Sequence, residues 1–135
     1  MKIINLEFKG YGLEESLQGL PDKSGVYCVY PCFPVTERDV SINRLLYIGE
    51  SDNLNHRLNN HEKIDDWKKA LKSGEVLCFT YALVKDEDRE RAEAALIYKH
   101  KPRLNKDNKD TFDYQPTRII SSGKINSLIE DFVVP

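Results

Sequence analysis

The sequence predicts a small α/β (α+β) domain, with a mostly antiparallel sheet at its centre and helices around it. Runs rich in β-branched and aromatic residues recur at 26–30, 45–48 and 76–84, each of strand length. The intervening and following stretches carry helical spacing, in the order strand, strand, helix, helix, strand, helix. At 135 residues, 40% of them apolar, the chain is one domain able to bury about two-thirds of its unfolded surface.

In order, residues 1–24 read as an N-terminal arm or edge element, containing Gly10-Tyr11-Gly12 and a candidate helix at 13–20 closed by Pro21. The strand at 26–30 ends at Pro31, and 31–43, with two prolines and several charges, reads as a long connection. After the strand at 45–48, stopped by Gly49, Ser51 and Asp52 can cap a helix from Asn53 to about His61. A second helix is expected at 64–72, with Trp67 and Leu71 one turn apart, ended by Ser73-Gly74. Asp86 caps a strongly helical stretch reaching His100, which Pro102 stops. Residues 106–110 read as a flexible polar tail, 117–120 as a short strand, and Ile125, Leu128, Ile129 and Phe132 have the spacing of a docking helix.

The formal charge of −2 argues against binding nucleic acid through bulk charge, so any such contact is local. Residues 99–118 hold six Lys or Arg against three Asp, a local +3 on a chain otherwise −5. No apolar run approaches the roughly 20 residues of a membrane span, and the acidic, quickly polar N-terminus is unlike a signal peptide. The expectation is a cytoplasmic protein without membrane contact. Cys28, Cys32 and Cys78 contain no CxxC pair, so neither a disulfide framework nor a zinc ribbon is implied.

Glu93 is the unusual residue of the long helix. Helical spacing sets Leu96 and Ile97 beside it, so the carboxylate shares a face with apolar side chains. It is either a solvated Glu at the edge of the apolar stripe or a ligand for a hard divalent cation at a cleft floor.

Gly25-Val26-Tyr27 on the first strand and Tyr47-Ile48-Gly49 on the second form a paired tripeptide signature that resembles the GIY-YIG nuclease superfamily. Asn53-Leu54 and Arg57, Glu93 within Ala92-Glu93-Ala94-Ala95, and Lys101-Pro102-Arg103-Leu104-Asn105 follow in the family's order. The resemblance covers residues 25–105. It implies a central three-stranded antiparallel sheet flanked by helices; the apolar spacing at 125–132 makes residues 106–135 a C-terminal extension docking on the same domain. The resemblance also implies metal-dependent cleavage of phosphodiester bonds in DNA, with Glu93 holding Mg²⁺ or Mn²⁺, Arg57 clamping phosphate oxygens and Tyr27 acting as general base. Tyr47 and His61 support Tyr27, since a phenol near pKa 10 needs a neighbour that takes its proton or lowers its pKa. Gly25 and Gly49 support the site, and Asn105 ties its segment to the core. Lys101, Arg103 and Lys106 are candidate nucleic-acid contacts.

The arginine, three residues, histidine spacing of Arg57 and His61 resembles restriction-type members. Two features depart from the family pattern. Nineteen residues separate Tyr27 from Tyr47, so 31–43 looks like an insertion, and Glu50 stands where a lysine is frequent, removing a phosphate contact and adding repulsion. With no separate DNA-binding domain visible, a homodimer or partner protein is the expected source of further DNA-binding surface. The alternative reading is a catalytically silent nucleic-acid-binding module or a subunit of a larger complex.

Overall fold

A computed structural model describes residues 1–34, 40–42 and 44–135. Among the described residues seven strands form one sheet: β1 (Lys2–Leu13), β2 (Gly25–Pro34), β3 (Val40–Ile42), β4 (Tyr47–Ser51), β5 (Val76–Leu83), β6 (Thr117–Gly123) and β7 (Asp131–Val134). They fill six columns, because β3 and β4 share one edge of β2. Gly25 to Val29 pair with β4, and Cys32 to Pro34 with β3. Pro31 falls in the gap between them, where the edge calls for no N–H, so β2 runs through the proline expected to end it.

The expected three antiparallel strands are β4, β2 and β5, but the sheet continues beyond them. β1 is interior: Lys9 to Leu13 pair antiparallel with β5, and Lys2 to Phe8 pair parallel with β6. The reading of 1–24 as an arm or edge element is corrected accordingly. Ile4, Leu6 and Phe8 alternate into the core where β1 pairs with β6, and its continuation pairs with β5, so β1 links the two. At the change of partner Gly10 has φ +140, and a methyl group there would meet the Phe79 carbonyl oxygen.

The helix expected within 125–132 is absent. Residues 125–129 form turns, with Ser127 at φ 71, and Asp131 to Val134 alternate exposed and buried as β7. There the two-residue period of the β-branched end wins over the weak helix formers Asn126 and Ser127. The expected tail at 106–110 has no regular element, yet Lys106 to Asn108 wall a cavity described below. The expected connection at 31–43 lies outside the described residues at 35–39 and 43.

Alternation along β2 sorts the two sheet faces. Val26, Cys28, Tyr30 and Cys32 pack with the long helix α3 (Asp86–His100) through Ala92, Ala95 and Leu96. Tyr27 and Val29 face the other layer: a short 3-10 helix (Glu14–Gly19), α1 (Leu54–Asn59) and α2 (Ile64–Lys69), which bury Leu17, Leu54, Leu58 and Trp67. α1 is capped by Asn53, whose side chain accepts from the His56 N–H, one residue beyond the expected Ser51-Asp52 cap. Arg91 of α3 donates to Thr117 Oγ1 and the Gln115 carbonyl, and His100 Nε2 accepts from the Ile129 N–H, fastening the last strands to the body. Among the described residues no helix is long and apolar enough to cross a membrane.

Candidate active site

The site forms at the sheet edge where β4 is outermost. Strand pairing sets Tyr27 opposite Gly49, and the ring of Tyr27 lies over that glycine. A methyl group at Gly49 would overlap the phenol carbon and oxygen, and one at Gly25 would overlap the Ala82 carbonyl oxygen and a Leu54 methyl. Both glycines of the paired tripeptides are therefore steric requirements.

Tyr27, 1% exposed, places its hydroxyl 2.8 Å from His61 Nε2. Nδ1 of the same ring accepts the Lys63 N–H at 3.1 Å. A neutral imidazole has one donor and one acceptor, so an accepting Nδ1 leaves the proton on Nε2, and His61 donates to the phenol oxygen. Burial, then Arg57, hold His61 down to a pKa of about 4, so it is neutral near pH 7. Burial and then Tyr47 push the Tyr27 pKa far above its ordinary value, while the nearby Arg57 guanidinium opposes the rise. Of the two kinds of help a histidine can give this phenol, the geometry favours donation over taking the proton. Tyr47 packs at 6.3 Å from Tyr27, 6.0 Å from His61 and 5.3 Å from Trp67, ring centre to ring centre, forming an aromatic cluster around the phenol.

Glu93 is half-buried and lines a cavity of about 200 Å³ with Tyr47, Lys63, Asn105, Lys106 and Asp107. Burial, then the carboxylates of Glu50, Glu90 and Asp107, push its pKa up to about 7. Glu50 does not stand unpaired: Arg89 Nε donates to it at 2.9 Å and also binds Asp86. The Arg89 pair offsets part of the repulsion expected from Glu50, which still raises the Glu93 pKa. Arg57 is likewise engaged. Its fork grips the Glu62 carboxylate at 2.6 and 3.0 Å, and this pair holds Glu62 down to a pKa of about 2.

Asn105 completes the outer edge of β4. Its Oδ1 accepts the Ile48 N–H at 2.9 Å and its Nδ2 donates to the Ile48 carbonyl at 2.8 Å, as a further strand would. Leu104 N–H donates to the Leu46 carbonyl alongside. Of the expected nucleic-acid contacts, Lys106 lines the cavity. Lys101 does not: it ends α3 at φ 48, its Nζ lies over the Tyr98 ring and donates to the Lys109 carbonyl. Arg103 is exposed and lines no described cavity. Lys63, Glu62 and Asp107 carry no motif signal in the sequence. They reach the site because the α1–α2 turn and the 105–108 loop fold over the sheet edge.

Tyr27 and Tyr47 on two neighbouring strands, with a helix that turns the Glu93 carboxylate toward them, gather the paired tripeptides and one acidic residue at a single sheet edge. Residues 24–108 match the GIY-YIG catalytic domain, and the chain belongs to the GIY-YIG family. Over 105 residues, 76% of its length, it is 36% identical to the UvrABC system protein C of Fervidobacterium nodosum, of which it spans 17%. No solved structure matches the chain.

Proposed function

We propose that this protein is a cytoplasmic endonuclease that hydrolyses phosphodiester bonds in DNA with Mg²⁺ or Mn²⁺. The observation that supports this most is the Tyr27–His61 hydrogen bond formed beside a cavity whose wall carries the half-buried Glu93. The donor set suits a hard divalent cation: carboxylate oxygens of Glu93 and Asp107 and the amide of Asn108 line one cavity, where burial and neighbouring carboxylates disfavour the bare Glu93 charge. Glu93 would hold the cation, which when bound supplies Lewis acidity at the phosphate. Tyr27 takes the proton of the attacking water as its own hydroxyl proton passes to a phosphate oxygen of the substrate, the P–O3′ bond breaking as the new P–O bond forms, and the His61 Nε2–H holds the phenol oxygen in place. Arg57 exchanges the Glu62 carboxylate for two phosphate oxygens, a like-for-like replacement of planar acceptors.

Purified protein incubated with supercoiled plasmid and Mg²⁺ or Mn²⁺ at low salt should nick or linearise it, and EDTA should stop the reaction. A plasmid that stays supercoiled while shifting in a gel would instead support the silent binding module. The chain's 17% share of its relative's length fits the other alternative, a subunit of a larger complex. A stable complex on purification would point to the subunit, and a dimer to a chain that supplies its own second DNA-binding surface.

A further inference from the structure

We infer that Lys63 holds the backbone phosphate next to the scissile one, acting with Lys106 across the groove; this rests on the nuclease reading of the Glu93 site. Two cavities adjoin here. The Glu93 cavity and a second one of about 390 Å³, lined by Asp66, Trp67 and Leu104, share the same two lysines, Lys63 and Lys106. A strand passing from one to the other therefore runs between two ammonium groups.

The cations nearest the site divide into engaged and free. Arg57 is held by Glu62, and Arg89 by Glu50 and Asp86. Among the described residues neither Lys63 nor Lys106 forms a salt bridge. Lys63 Nζ instead rests 5.1 Å from the centre of the Tyr47 ring, at the mouth of the Glu93 cavity. The carboxylates Glu93, Asp107 and Asp66 also line these walls, so a bare anion is poorly served. A phosphodiester strand, whose charges come at fixed spacing, can meet the lysines while a cation meets Glu93. Lys63 is placed for this by its own backbone: its N–H fixes the His61 ring, so the α1–α2 turn sets both residues together.

The test uses the full chain and a fluorescein-labelled 20-base-pair duplex, with Ca²⁺ replacing Mg²⁺ so that binding is read without cutting. Lys63→Gln keeps the backbone N–H to His61, and thermal unfolding confirms its fold. It should weaken binding roughly five- to tenfold and lower the slope of log K against log salt by about one. Lys63→Arg should restore both. In Mg²⁺, Lys63→Gln should raise KM with kcat little changed, whereas a merely structural role would lower kcat. Lys124→Gln, in the β6–β7 turn and outside both cavities, should behave as wild type. Equal affinity and salt slope for Lys63→Gln and wild type, or a wild type that does not bind the duplex, would overturn the inference. A wild type whose binding responds to Lys63→Gln as described but that never cuts would overturn the nuclease reading and keep only the contact between Lys63 and a backbone phosphate.

Discussion

Glu93 and His61 make opposite contributions to the pH dependence of stability. Glu93 has a folded pKa near 7 against 4.5 for the free group, so the folded state holds its proton more tightly and stability falls as pH rises through that interval. His61 has a folded pKa near 4 against 6.5, so the unfolded state takes the proton first and stability rises with pH over that window. His100, also lowered by burial, adds to the His61 sense. Between about pH 4.5 and 6.5 the trends oppose each other. Urea unfolding of Glu93→Gln should show the histidine slope uncovered, with stability above pH 7 gaining on the order of 2 kcal/mol over wild type. A variant whose profile parallels wild type would show that Glu93 ionises freely. Glu62 offers a second residue-level test. Glu62→Gln releases the Arg57 fork, so duplex binding should tighten several-fold and KM fall; unchanged binding would mean that Arg57 does not reach phosphate. The sequence made Tyr27, His61 and Glu93 legible because each sits in a short local pattern. Lys63 and Glu62 were hidden because their partners, Tyr47 and Arg57, are brought to them by the packing of a turn that carries no signature.

β4 is a five-residue strand held on one side by β2 and on the other by a single side chain. Asn105→Ala leaves both the N–H and the carbonyl of Ile48 without their partner, which should cost about 2–4 kcal/mol and loosen Tyr47, read as a lowered unfolding midpoint and reduced nicking. Gly49→Ala drives a methyl group into the Tyr27 phenol and should cost at least about 2 kcal/mol, with the Tyr27–His61 bond lost. Gly19→Ala meets open space and should stay within about 0.5 kcal/mol of wild type. Equal effects at the two glycines would remove the steric account of the paired tripeptides. The strands at β2, β4 and β5 were legible from their apolar and aromatic runs. Local spacing reads β1 as an arm or edge, because its partners β5 and β6 lie far along the chain, and reads 125–132 as a helix, because the pairing of β7 with the neighbouring β6 competes with a helical spacing of apolar residues.

At the scale of the whole molecule, β1 joins the strands of the family domain to β6 and β7, and its apolar residues complete the core. A chain cut to residues 24–108 leaves the far edge of β5 unpaired and removes Ile4, Leu6 and Phe8. It should lack a cooperative unfolding transition, while the full chain unfolds in one; an independently folded fragment would make the added strands an accessory. That continuous sheet is what holds β4, α1 and α3 in a fixed relation, and the proposed chemistry depends on it. The most direct measurement is single-turnover cleavage of plasmid DNA in Mn²⁺ by wild type and Glu93→Gln, with unfolding midpoints recorded on the same preparations. The account predicts a loss of at least about 10²-fold in the variant with a midpoint equal to or above that of wild type. A folded Glu93→Gln protein that cuts within a few-fold of wild type would contradict it.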